Sequence, residues 1–144
     1  METFLANVLI VDDSTQFAKA FSDIILDVAN DVVAVVDVAH SADEAMEKIV
    51  TKHYHYIFMD VQMPGLNGID FTRKLDRMFN GLNIIAISFH RDFEVIRSMI
   101  EAGARNYIVK EDLSVLDVER IFGLNTDLSA DNKRHLLDIG MDLQ

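Results

Sequence analysis

The chain of 144 residues contains no cysteine, so disulfides and thiol chemistry are excluded. No apolar run reaches the ~18 residues needed to span a bilayer, and no membrane partner is expected. The opening Met1-Glu2-Thr3-Phe4 lacks the basic segment that begins a signal peptide, which makes the cytoplasm the expected compartment. Basic residues are scarce, 13 against 24 acidic ones, for a net charge of −11 at pH 7. Such a chain repels phosphate backbones, so direct nucleic-acid binding is not expected, and the same acidity also serves solubility. Internal repeats and low-complexity segments are absent as well. What is present is a hydrophobic fraction of 50%, enough for a real core and too high for disorder, on a length that suits one domain.

Strand-like and helix-like segments alternate along the chain. Leu5–Val11, Val32–Ala39, Tyr56–Met59, Ile84–Ile87 and Tyr107–Val109 are short apolar runs with almost no polar alternation, as in parallel strands covered on both faces. Between them, apolar residues recur at helical spacing. Phe17, Phe21, Ile24, Ile25 and Val28 mark one helix, and Ala42, Ala45, Met46, Ile49 and Val50 a second. The second follows Ser41 and Glu44, which read as a capping box. Phe71, Leu75 and Met78 mark a third, and Val95, Ile96, Met99 and Ile100 a fourth that stops near Gly103. Met46, Met78 and Met99 are assigned to the core and Met63 to loop packing. Leu113, Leu116, Val118, Ile121 and Phe122 form a weaker fifth stripe. A turn at Asn125-Thr126-Asp127 and a short helix capped by Ser129 are expected to make residues 126–144 an appendage to a domain of residues 1–125. The order βαβαβαβαβ followed by helix predicts a doubly wound α/β sheet of five parallel strands with helices on both faces.

In such sheets the site lies beyond the carboxyl ends of the strands. Strand one delivers Asp12-Asp13-Ser14, strand three Asp60, strand four Ser88 and strand five Lys110. His40 and Ser41, after strand two, are assigned to helix capping, and one of Asp12 and Asp13 is expected to cap the first helix. Three carboxylates and one ammonium at one edge leave an excess negative charge that a divalent cation would balance. An all-oxygen donor set points to Mg²⁺, which takes one or two carboxylates and leaves positions for water and phosphate oxygens. An aspartate can itself act as a nucleophile and form an aspartyl phosphate, with Ser88, Lys110 and the cation covering the equatorial oxygens.

The segments L-I-V-D-D-S (9–14), F-M-D-V-Q-M-P-G-L-N-G (58–68), A-I-S (86–88) and G-A-R-N-Y-I-V-K (103–110) together resemble the receiver domain of the two-component response-regulator family, over about residues 5–123. The resemblance implies a flavodoxin-like strand order 2-1-3-4-5. It implies that Asp60 accepts a phosphoryl group from a sensor histidine kinase or a phosphotransfer protein. It also implies that Asp12, Asp13, Asp60 and the backbone carbonyl of Gln62 hold Mg²⁺, that Ser88 and Lys110 contact the phosphoryl group, and that Ser88 and Tyr107 form the switch. Gln62 and His90, each two residues beyond Asp60 and Ser88, are placed to tune hydrolysis of the phosphate. Ser88 and Lys110 lie 28 and 50 residues after Asp60, spacings of the branch that often carries a helix-turn-helix output. The chain departs from that branch at Glu111, where many members have proline, and no DNA-binding domain is expected after Lys110.

The expected function is a phosphorylation-dependent switch with no turnover beyond its own aspartate. Its changed surface would be read by an output protein or a second copy in a homodimer. The alternatives are a Mg²⁺-dependent phosphohydrolase working through Asp60, and a receiver fragment of a larger transcriptional regulator. The first needs an acid near the nucleophile to protonate the leaving group, and Gln62 cannot supply that proton.

Overall fold

The computed structural model of the chain describes residues 4–124, so the turn and helix expected within 125–144 lie outside the described residues. Five strands and five helices alternate: β1 (Ala6–Val11), α1 (Thr15–Val28), β2 (Val33–Ala39), α2 (Ala42–Thr51), β3 (Tyr56–Asp60), α3 (Gly68–Met78), β4 (Asn83–Ser88), α4 (Phe93–Ala102), β5 (Asn106–Val109) and α5 (Val115–Ile121). A 3₁₀ turn, Lys110–Asp112, joins β5 to α5. The strands form one parallel sheet in the order β2-β1-β3-β4-β5, the doubly wound topology expected. The register aligns the carboxyl ends: Val11 pairs with Ala39 and Met59, Asp60 with Ile87, and Ser88 with Val109. Whatever follows each strand therefore emerges at a single edge.

The apolar runs are explained by a core on each face. Leu9, Val11, Ile57, Met59, Ile84 and Ala86 point toward α2, α3 and α4, where they meet Ile49, Leu75 and Met99. Their neighbours Val8, Ile10, Phe58, Ile85, Ile87 and Ile108 point toward α1 and α5, where they meet Phe21, Ile25 and Val118. Successive strand side chains alternate between faces, and here both faces are dry. Burying each such side chain contributes roughly 1.5–3 kcal/mol. The Phe21 and Phe58 rings meet edge to face with centroids 4.8 Å apart, which fixes α1 against the centre of the sheet.

Several local expectations are corrected. Met78 is not core: it is 51% exposed, because the helix ends there and Phe79 packs against the core in its place. Met46 is half-buried, whereas Met99 and the loop residue Met63 are buried. The box at α2 is only half closed. Ser41 accepts from the Glu44 N–H, but the Glu44 carboxylate accepts from the N–H of His40 rather than of Ser41. Neither Asp12 nor Asp13 caps α1; Ser14 does, its hydroxyl accepting from the Phe17 N–H at 3.2 Å. The capping box that does close is at α5, where Ser114 and Asp117 satisfy each other's backbone N–H groups. Between β3 and α3 the break at Pro64-Gly65 is the tip of a small antiparallel ribbon, Gln62–Met63 against Leu66–Asn67. Gly65 takes φ 71°, which only glycine adopts freely.

Candidate functional site

Asp60 is the last residue of β3, and its strand neighbours carry it into a nearly closed edge where it is 5% exposed. One carboxylate oxygen accepts from the Gln62 N–H at 3.3 Å. The other lies 3.6 Å from the Lys110 ammonium. Asp12 follows β1 and is fully buried. Its Oδ1 accepts from the Ser14 N–H at 2.8 Å and its Oδ2 lies 2.6 Å from Lys110 Nζ. Asp13 is exposed at the mouth. One carboxylate oxygen from each of Asp12, Asp13 and Asp60 falls within 4.8 Å of the others, and among the described residues no other group of three or more such side chains does this.

Burial, then the charge of Asp12 and more weakly of Asp13, pushes the Asp60 carboxyl from 3.8 up to about 7. Lys110 and the Gln62 amide pull the other way and do not restore it. Two close carboxylates without a second cation therefore compete for ionisation. Lys110 meets Asp12 Oδ2 as an ion pair, and that buried oxygen has no directed hydrogen bond. An all-oxygen donor set and excess negative charge fit a hard divalent cation such as Mg²⁺.

Lys110 begins the 3₁₀ turn, and its side chain is 5% exposed, turned into the acidic edge. The neighbouring Glu111 and Asp112 do not draw it away, because Arg91 engages both. Its two terminal nitrogens reach the Asp112 oxygens at 2.8 and 3.1 Å, and one reaches Glu111 at 3.3 Å. Ser88 ends β4, buried, and its hydroxyl oxygen accepts from the His90 N–H at 3.0 Å. Tyr107 packs on the face of α2, α3 and α4 and donates its phenol proton to the His90 carbonyl at 2.9 Å. Burial pushes the phenol up, Ser88 opposes this, and the charges of Asp92 and Asp60 add to it. Gln62 and His90 meet: Gln62 Oε1 and His90 Nε2 are 2.7 Å apart, at the rim of an open groove of about 430 Å³ between the ribbon and α4. With the amide oxygen as acceptor, Nε2 carries the ring proton.

The structure thus brings Asp12, Asp13, Asp60, Ser88 and Lys110 to one edge, with Gln62, His90 and Tyr107 around it. Sequence reasoning missed four further residues. His40, assigned to capping, bonds the Asp12 carbonyl through Nδ1 at 3.0 Å and ties the acidic loop to β2. Phe17 and Phe89 place their rings 4.4 and 5.1 Å from Lys110 Nζ. Arg91 is the last. Each acts across the sheet edge from another element, so no local pattern announces it.

Comparison with known proteins agrees with this architecture. The response regulator receiver domain family matches residues 8–118. The response regulator GacA of Pseudomonas protegens is 29% identical over 106 residues, covering 74% of this chain and 49% of that protein. The protein-glutamate methylesterase/protein-glutamine glutaminase of Bacillus subtilis is 32% identical over 120 residues, covering 81% of this chain and 33% of that protein. The chain therefore spans about half, or less, of the length of these curated relatives. Among solved structures, the receiver domain of a DNA binding response regulator from Colwellia psychrerythraea superposes with a TM-score of 0.76 at 17% identity, covering 83% of this chain and 97% of that one, a likeness of fold. With most of its length matched by that family and its five strands in that order, the chain belongs to the response regulator receiver domains of two-component systems.

Proposed function

We propose that this receiver is a phosphorylation-driven switch with Asp60 as the acceptor. The observation that carries the reading is the placement of Asp60: a buried carboxylate at a strand end, 3.6 Å from a buried ammonium and grouped with two further carboxylates. A carboxylate oxygen of Asp60 attacks the phosphorus of a phosphohistidine on a sensor kinase or phosphotransfer protein. The O–P bond forms, the P–N bond breaks, and the released imidazole nitrogen keeps the electron pair. Lys110 and the Ser88 hydroxyl supply positive charge and a proton donor to the phosphoryl oxygens. Asp12, Asp13, Asp60 and the Gln62 carbonyl would hold Mg²⁺, which supplies charge neutralisation to the transferred group.

The switch follows from hydrogen bonding. A phosphoryl oxygen draws the Ser88 hydroxyl, since a charge-assisted bond is about twice as strong as a neutral one. Ser88 lies beside the Tyr107 phenol, and both are tied to His90. A shift at Ser88 therefore reaches the ring, and with it the surface of α4, β5 and α5. That surface carries exposed Phe93, Ile100, Val115 and Leu116, apolar area that suits an output protein or a second copy of the chain. The Gln62 N–H donates to Asp60 and the Gln62 side chain meets His90, which supports a role for the pair in tuning loss of the phosphate to water. The protein turns over nothing but its own aspartyl phosphate, within the cytoplasm. Its output lies in a partner or in a longer protein.

The test is intact mass spectrometry after incubation with acetyl phosphate and Mg²⁺. Wild type is expected to gain one labile phosphoryl adduct and Asp60→Asn none. An equal adduct on the variant would remove Asp60 from the acceptor role.

A further inference from the structure

Lys110 is enclosed in a way that the acidic site alone does not explain. Its side chain is 5% exposed, so the ammonium has lost most of its water. The carboxylates replace part of that shell on one side, Asp12 at 2.6 Å and Asp60 at 3.6 Å. Two aromatic rings replace much of the rest, Phe17 at 4.4 Å and Phe89 at 5.1 Å from Nζ to the ring centroid. Both distances fall within the ~6 Å over which a ring face attracts a cation.

The two rings are held differently. Phe17 is half-buried in the first turns of α1 and packs against Phe21 with centroids 5.7 Å apart, so its position belongs to the core. Phe89 follows Ser88 on the loop leaving β4 and is 61% exposed. A phenylalanine left that far in water gains little from burial, and the contact the structure gives its ring is the Lys110 ammonium. Arg91, two residues on, fixes the same loop to the turn after Lys110 through Asp112 and Glu111. That brace keeps the loop ring over the lysine and keeps the two adjacent carboxylates off it.

We propose that Phe17 and Phe89 form an aromatic clamp that positions the Lys110 ammonium toward Asp60, which makes Phe89 a positioning residue for phosphoryl transfer. The proposal rests on the functional reading of Asp60 given above. The clamp attracts through the faces of its rings, so the electron density of the Phe89 ring sets its strength and the bulk of that ring does not. Withdrawing electrons from a ring of nearly constant shape weakens it step by step. An aliphatic residue of similar volume abolishes it, and tyrosine retains it.

The experiment uses the full chain with phenylalanine, its mono-, di- and trifluorinated forms, tyrosine or leucine at position 89. Two quantities are read. The first is the NMR shift of the Lys110 ε-methylene protons, which ring currents displace upfield. The displacement is expected in wild type and Phe89→Tyr and reduced in Phe89→Leu. The second is the rate of adduct formation from acetyl phosphate with Mg²⁺. It is expected to fall stepwise along the fluorinated series, by about two- to five-fold in all, the span that ~0.5–1 kcal/mol corresponds to. Phe89→Leu should sit at the bottom, with the half-saturating donor concentration little changed throughout. A flat series in a wild type that takes up phosphate, or an ε-methylene shift indifferent to Phe89→Leu, overturns the clamp and leaves the acceptor assignment standing. A wild type that shows the ring-current shift yet takes up no phosphoryl group overturns the functional reading, and the positioning role with it.

Discussion

Asp60 shows how one carboxylate takes its properties from its neighbours. In an unfolded chain it would titrate near 3.8; buried beside Asp12 and Asp13 it is pushed up to about 7. Between those values the folded chain holds a proton that the unfolded chain has released, so folding stability falls as pH rises through that window and stays low above it. Asp60→Asn removes the charge and nearly keeps the shape. In metal-free buffer near pH 8 the variant is expected to be more stable than wild type, by an amount on the order of 2–4 kcal/mol. Near pH 4 the two should melt together. Paired thermal scans at the two pH values check this, and a difference that does not depend on pH would mean that Asp60 does not carry the strain. The residue itself was legible in the sequence, because a charged residue ending an apolar run demands compensation. Its pKa was not, since that depends on distances to residues up to 50 positions away.

Among the elements, α3 bears most directly on the site. It begins at Gly68, whose N–H donates to the Val61 carbonyl at 2.9 Å, so the helix start is seated on the backbone that carries Asp60. A Cβ at position 68 would collide with the Asp60 carbonyl oxygen and lie 2.7 Å from that of Val61. Both are main-chain atoms and cannot turn aside. Gly68→Ala is therefore expected to cost about 1–3 kcal/mol through overpacking, read as a lower denaturant midpoint, and to slow phosphoryl uptake. Uptake at the wild-type rate would show that the loop after Asp60 relaxes without moving the acceptor. The third stripe, Phe71-Leu75-Met78, located α3 but mistook its last residue. Helical spacing describes a face and cannot say where the chain turns away, so Phe79 rather than Met78 meets the core. The Ser114-Asp117 box escaped notice for a related reason: α5 has only seven residues, too few for a clear apolar stripe.

At the scale of the whole molecule, a net charge of −11 meets a site that concentrates three carboxylates against one lysine. A ligand that binds only the folded chain stabilises it by mass action, by about 2.7 kcal/mol at a hundredfold excess over its Kd. Millimolar Mg²⁺ is accordingly expected to raise the Tm of wild type by several degrees. Asp13→Asn should lose most of that gain, because the exposed Asp13 can be changed without disturbing the core. Calorimetry of both proteins with and without the ion decides it, and an equal shift in the two would place the cation elsewhere. The same family includes relatives with unlike names, a response regulator and a methylesterase, of which the matched region makes up 49% and 33%.

Composition and pattern were enough to determine the five strands, the doubly wound sheet and the edge where Asp12, Asp13, Asp60, Ser88 and Lys110 emerge. Each of these depends on short-range periodicity together with the rule that parallel strands end on one side. Tertiary structure alone decided which oxygens share a cation-sized space, that Lys110 turns inward while Arg91 takes Glu111 and Asp112, and that Phe17 and Phe89 close over the ammonium. Those choices are balances between charges and rings brought within a few ångströms from separate elements, and such energies depend on distance in space, which spacing along the chain does not encode.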